Sequence, residues 1–143
     1  MKKKLILTLL FLTTGILSIY SQEVELKDNK VLLDGKEFLK YEKVNNSQYS
    51  FFTLDDVEFL MYKYQYNHDY NINGGKDYNT YYFITAKKKI ESSDFSLIYA
   101  ANSKKNMQKL IKLLLKEKVL DTEGKINIER LDIFYEKYNN VIK

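Results

Sequence analysis

Two turn signals six residues apart, Asp28-Asn29 and Asp34-Gly35, constrain this chain more than any other feature. Asp-Gly is among the strongest two-residue hairpin signals because both positions tolerate φ > 0. Strand-like stretches lie on either side of these turns, at 23–27, 30–33 and 36–44. Further stretches at 48–53 and 57–66 flank Leu54-Asp55-Asp56. A polar loop over 67–79 follows, and stretches at 80–87 and 95–99 complete the set. Hairpin after hairpin with such short turns implies an antiparallel meander.

The pattern changes near residue 100. Asn102 or Ser103 can cap a helix reaching about Lys118, with Met107, Leu110, Ile111 and Leu114 recurring on one side. Asp121-Thr122-Glu123-Gly124 makes a turn. Asn127 can then cap a second helix with the stripe Leu131, Phe134, Tyr135, Tyr138 and Ile142, and Glu129 is well placed in its first turn. Both helices need a surface to bury those stripes. The expected class is therefore α+β: an antiparallel meander over 22–100, then two C-terminal helices over 101–143 packed on one face of the sheet.

The first 21 residues read differently. Lys2, Lys3 and Lys4 precede an apolar run over 5–19, and Ile19-Tyr20-Ser21 offers a small residue before a cut at Gln22. That order is what a secretory signal requires. The run has 15 residues, short of the roughly 20 needed to span a bilayer as a helix. No transmembrane anchor is expected after processing, and the product is expected in the periplasm or outside the cell. Residues 22–143 are long enough for one domain that buries about two-thirds of its unfolded surface. The chain has no cysteine, so packing and hydrogen bonds must hold an exported domain without disulfides.

The formal charge of +4 comes from 23 basic and 19 acidic residues, and three of the basic ones belong to the signal. The rest of the chain is nearly balanced, which argues against a nucleic-acid partner. Charge is nonetheless segregated: residues 86–118 hold 9 basic groups against 3 acidic ones. An electrostatic partner would meet the chain there.

The Lys-led signal ending in Tyr20-Ser21-Gln22, the hairpin from Lys30 through Asp34-Gly35 to Glu37, and the closing segments Leu114-Leu115-Lys116-Glu117 and Gly124-Lys125-Ile126-Asn127 form a recognisable set. With them the chain resembles the small exported proteins of unknown function common in flavobacteria-like bacteria. The resemblance implies a Gram-negative envelope setting and brings no catalytic residue. The meander of Asp-Gly turns is also similar to Tubby-like domains.

Catalytic chemistry is hard to assemble from these residues. No thiol is present and His68 is the sole histidine, so neither a Cys–His pair nor a zinc site of several His or Cys can form. His68 and Asp69 are chain neighbours, and in extended backbone they point to opposite sides. Neither a Gly-x-Ser-x-Gly elbow nor a glycine-rich nucleotide loop occurs, and no cofactor is expected. Asp55-Asp56 is a candidate carboxylate pair, although its place in a turn explains it without chemistry.

Three binding patterns remain. In the loop 69–80, Asp69, Asn71, Asn73 and Asp77 occupy positions one, three, five and nine of a calcium loop, with Gly74 at six. Lys76 stands where an apolar residue belongs, and Thr80 where a closing Glu should be, so turn geometry is the plainer explanation. Tyr62, Tyr64 and Tyr66 share one face of a strand. They can stack on sugar rings or bases, or they can be its core side. Lys105, Lys109, Lys112 and Lys116 line the polar side of the first helix and can meet an anionic surface. They can equally be its solvated face, partly neutralised by Glu129, Asp132 and Glu136. The expectation from sequence is an exported, non-catalytic binding or envelope-accessory protein, whose partner is an envelope protein or an anionic surface. The rival is a small extracytoplasmic hydrolase using carboxylates.

Overall fold

The computed structural model of the protein describes residues 22–143; the export signal expected over 1–21 lies outside them. Seven strands form one antiparallel sheet in the order of the chain: β1 (Val24–Lys27), β2 (Lys30–Leu33), β3 (Lys36–Asn45), β4 (Gln48–Phe52), β5 (Glu58–Gln65), β6 (Tyr78–Phe83) and β7 (Lys88–Ser92). Two helices follow, α1 (Ser103–Lys116) and α2 (Ile128–Tyr138). This is the α+β meander that the turn signals imply. Asp28, Asn29, Asp34 and Gly35 all take positive φ, between 50° and 81°. These are the mirror-image turns whose twist suits a tight hairpin.

Strand pairing builds the core in rows. Leu26, Val31 and Leu39 are register partners across β1–β3. Tyr41, Phe51, Leu60 and Phe83 run across β3–β6. Tyr49, Tyr62, Tyr81 and Ile90 run across β4–β7. Met107, Leu110, Ile111 and Leu114 of α1, with Leu131 and Phe134 of α2, join these rows in one buried cluster. Both helices begin on asparagine caps: Asn102 Oδ1 accepts from Lys105 N at 2.9 Å, and Asn127 Oδ1 from Arg130 N at 3.0 Å.

An open sheet leaves an unpaired row of backbone groups along each edge, an invitation to pair with another chain. Here both edges are covered. α1 packs along β1, and Gln108 Oε1 accepts the Leu26 N–H at 3.1 Å. α2 packs beside β7. The residues just after it reach the β7 edge, where Asn139 Oδ1 accepts from Glu91 N and Asn140 Oδ1 from Ser93 N. The Glu91 carbonyl in turn accepts from Asn140 N at 3.0 Å. Glu117 ties the helices together. Its carboxylate accepts from Lys137 Nζ and Tyr138 OH, its carbonyl from Arg130 Nε, and the Lys137 bond holds its pKa below the ordinary value.

The structure corrects the sequence reading in three places. The stretch 80–87 is not one strand: β6 ends at Phe83, a turn closes through Lys87 N to Ile84 O, and Lys87 takes φ 50°. The last strand is therefore β7, and the stretch 95–99 starts with a 3₁₀ turn at Phe95–Leu97 capped by Asp94. The α2 stripe stops at Tyr138, and Ile142 is 78% exposed. Lys118 at φ 60° ends α1 in the left-handed conformation, with Val119 N and Leu120 N both donating to the Leu114 carbonyl.

Replacing Asn139 and Asn140 together by Ala removes the side-chain acceptors for the β7 edge. The expected cost is about 1–3 kcal/mol, from two lost hydrogen bonds, read as a lower urea midpoint and as more light scattering at high protein concentration. An unchanged midpoint with unchanged scattering contradicts a protective role for these amides.

Candidate functional site

The tyrosine row of β5 divides as the strand leaves the core. Tyr62 is 6% exposed, and its hydroxyl donates to the buried Asn79 Oδ1 at 2.8 Å. Burial pushes its pKa, and that of Tyr81 beside it, far above the ordinary value of 10. Both hydroxyls stay neutral, so Tyr62 belongs to the core. Tyr64 is half-buried. Its ring lies 4.8 Å from that of Tyr66 and 5.5 Å from that of Phe95, and its hydroxyl donates to Asp77 Oδ2 at 2.8 Å. Desolvation and the neighbouring Asp77 carboxylate push the Tyr64 pKa up to about 12. Tyr66, just past the end of β5, is 72% exposed. The three residues thus grade from core through support to surface.

A groove of about 480 Å³ lies where the chain at Tyr66 passes the β3–β4 hairpin. The groove forms because β5 outruns its neighbour. The β3–β4 hairpin turns at Asn46-Ser47, and Tyr64 N donates to the Ser47 carbonyl at 2.8 Å. The strand continues past that rung. It is lined by Asn45, Asn46 and Ser47 of the hairpin tip and by the chain from Lys63 to Tyr66. Asn45 Oδ1 accepts from Ser47 N, and Gln65 Nε2 donates to Thr80 Oγ1. One half of each amide is engaged, which orients the other half.

The loop 69–80 is organised around a residue just before it. Asn67 is 8% exposed. Its Nδ2 donates to the Ile72 carbonyl at 2.6 Å and the Lys76 carbonyl at 3.1 Å, and its Oδ1 accepts from Asp69 N. Two backbone carbonyls of the loop thus converge on one amide nitrogen. Of the candidate ligands, Asp69 Oδ1 accepts from Asn71 N and Nδ2, and Asn73 Nδ2 donates to the Lys76 carbonyl. Asp77 accepts from Asn67 N through Oδ1 and from Tyr64 OH through Oδ2. The first of these bonds chiefly, and the second next, hold its pKa below the ordinary 3.8. Among the described residues no three His, Cys, Asp or Glu side chains group so as to hold a metal ion.

Lys105, Lys109, Lys112 and Lys116 all lie on the exposed side of α1. Lys109 has a structural task, since its ammonium donates to the Tyr99 carbonyl at 3.0 Å, tying down the segment that follows Phe95. The acids of α2 do not neutralise this row among the described ion pairs: Asp132 pairs with Lys88 of β7, and Lys137 of α2 pairs with Glu117. The carboxylates Asp55 and Asp56 sit on the β4–β5 turn, where Asp56 takes φ 64° and pairs with Lys40 at 2.8 Å. His68 is exposed.

Sequence reasoning missed Phe95, Asn67 and the hairpin tip. Phe95 read as strand. Asn67 lies outside the twelve-residue window of a calcium pattern, although an Asn directly before an Asp- and Asn-rich loop is a signal for side-chain-to-backbone bonds. The tip residues Asn45, Asn46 and Ser47 gain a role only from the greater length of β5. No family model matches the chain, and comparison with curated proteins and with solved structures returned no match.

The Asp77 bonds give this end of the molecule a pH dependence. Its folded-state pKa is depressed, so its contribution to stability is present above the ordinary carboxylate value and is lost as pH falls through the folded value. Asp77→Asn is expected to lower the urea midpoint at neutral pH and to flatten its decline between about pH 5 and 2, with Tyr66 ring signals broadened in NMR spectra. An acid limb identical to that of the parent protein contradicts this.

Proposed function

We propose that the chain is an exported, non-catalytic binding protein of the bacterial envelope that engages its ligand through the Tyr64–Tyr66–Phe95 end. Export is supported by the order of Lys2–Lys4, apolar run and Ser21 at the N-terminus. Among the described residues no helix is long and apolar enough to cross a membrane. The observation that carries the binding reading is the contrast between engaged and open side chains. The carboxylates and amides of the 67–80 loop hold its backbone and Tyr64. The Tyr66 ring meanwhile stands exposed on a supporting ring. Aromatic rings with a wet hydroxyl suit ligands that are apolar on one face and polar at the rim.

The rival hydrolase would need two carboxylates converging on a cleft. Asp55-Asp56 lies on an exposed turn with Asp56 held by Lys40, a structural arrangement. The lysines of α1 supply a second contact surface of the accessory kind through Lys105, Lys112 and Lys116, for an envelope protein or an anionic surface.

Two measurements test this reading. Mass spectrometry of the protein from the cell envelope is expected to show a chain starting at Gln22; recovery of intact Met1-containing protein in membranes contradicts export. Titration of isotope-labelled residues 22–143 with a soluble envelope extract is expected to shift the amides of Tyr64, Tyr66 and Phe95 with no substrate consumed. Shifts centred on Asp55 and Asp56 with product release establish the hydrolase instead.

A further inference from the structure

We infer that the lysine ridge of α1 is a docking surface for an acidic polysaccharide, a hydrated chain of uronic acids laid along Lys105, Lys109, Lys112 and Lys116. This rests on the second contact surface proposed above and names its partner. Three features of α1 support it: how the ridge is built, what it costs the helix, and what it lacks.

The four lysines recur at steps of four, three and four residues, so they fall on one line opposite the stripe of Met107, Leu110, Ile111 and Leu114. At about 1.5 Å per residue the row is roughly 16 Å long, with a cation for about every helical turn. All four are exposed. No acid lies between Asp94 and Glu117, and Lys104 adds a fifth cation to this stretch. Lys104, Lys105, Lys112 and Lys116 enter none of the ion pairs among the described residues. Lys109 donates to the carbonyls of Ser96 and Tyr99, which leaves its charge uncancelled. Glu117, which follows the ridge, commits its carboxylate to Lys137 and Tyr138.

This arrangement works against the helix. Lys104 and Lys105 stand in the first turn, where the helix dipole favours acids, and that turn has none. Lys105 and Lys109, like Lys112 and Lys116, are equal charges four residues apart, which repel. A face that served only to meet water would need neither feature, because interspersed acids and lysines keep it as wet and hold the helix better. Local choices that oppose the fold mark places shaped for another task.

What the ridge lacks selects the partner. A helix that binds a lipid leaflet sinks its apolar side into it, and here that side is closed: Met107, Leu110, Ile111 and Leu114 are each 0% exposed. Single-stranded nucleic acids stack their bases on aromatic rings, and α1 contains neither an aromatic residue nor an arginine. A duplex carries a charge for about every 1.7 Å, far denser than the ridge. Protein interfaces are depleted in lysine and enriched in arginine and aromatic residues. A polyuronate bears one carboxylate per ring, and a ring in an extended chain is close in length to a helical turn. Its carboxylates stay hydrated, which suits ammonium groups, compact charges on flexible stems.

The test is an NMR titration of residues 22–143 with a galacturonic acid pentasaccharide and with its methyl ester, which keeps the rings and loses the charge. The acid is expected to shift the signals of Lys105, Lys112 and Lys116, with an affinity that falls as salt rises. The ester is expected to leave them in place. Lys105→Gln, Lys112→Gln and Lys116→Gln together are expected to weaken binding about tenfold, from about two- to threefold for each exposed charge pair. The charge-matched control, Lys27→Gln, Lys36→Gln and Lys63→Gln together, is expected to change it less than about twofold. All six side chains are exposed, and the spectra of the free variants show whether each still folds. The ridge variant is also expected to melt no lower than the parent, since repelling charges are removed; a lower melting temperature means that the lysines serve the fold, and overturns the inference. Equal binding of acid and ester, or equal loss in both variants, overturns a charged ridge as the site. Binding of phosphatidylglycerol vesicles or of a DNA duplex through these three lysines, without binding of the acid, overturns the polysaccharide and leaves the second contact surface standing. If none of the three polyanions perturbs α1, that surface falls with the inference, while the Tyr64–Tyr66–Phe95 end is judged separately by the envelope extract.

Discussion

A seven-stranded sheet that does not close has two edges, and how those edges are covered governs the rest of this molecule. The protein has no disulfide to brace them. It uses its C-terminal third instead. Gln108 of α1 meets the β1 edge at Leu26, and Asn139 and Asn140 after α2 meet the β7 edge at Glu91 and Ser93. Side-chain amides suit this task because each carries an acceptor for a strand N–H and remains compatible with solvent on its outer side. The helices that bring them also bury the inner face of the sheet. Closure and core formation are thus one event, and a chain lacking its last residues would expose strand edge and apolar surface together.

Closure of both edges directs attention to the strand ends. β5 extends past the β3–β4 hairpin, carrying Tyr64 and Tyr66 out of the core in succession. The same two-residue period that buries Tyr62 on the inner face leaves Tyr66 on that side where no helix covers it. It rests on Tyr64, which is held in turn by Asp77 from the 67–80 loop and by Phe95 from the 3₁₀ turn, while Lys109 of α1 fastens the Tyr99 carbonyl just beyond that turn. A lysine expected to serve as part of an anion-binding face therefore acts in part as a brace for the aromatic end.

Much of the fold was legible from local chemistry. Asp28-Asn29 and Asp34-Gly35 adopt the positive φ values that make such pairs hairpin turns, and the apolar stripes with Asn102 and Asn127 before them mark both helices. What escaped was carried by residues with no turn signature. Lys87 takes φ 50° in the β6–β7 turn although lysine has no intrinsic preference for that region, so β7 was concealed within an apparently longer strand and loop. The site was legible as residue types and not as geometry. Tyr62, Tyr64 and Tyr66 share a strand face as their spacing requires, but which of them is core depends on where the neighbouring hairpin stops. Asp69, Asn71, Asn73 and Asp77 are oxygen-bearing as the pattern required, but Asn67 gathers the loop carbonyls through its amide.

Backbone hydrogen exchange tests the closure of the sheet most directly, because it reads the edge amides one at a time. If Gln108, Asn139 and Asn140 seal the edges, the N–H groups of Leu26, Glu91 and Ser93 exchange as slowly as those of the central strands β4 and β5, released only by unfolding of the whole domain. Exchange of these three at the rate of a freely solvated backbone, while β4 and β5 stay protected, would contradict it and show a sheet whose edges are open.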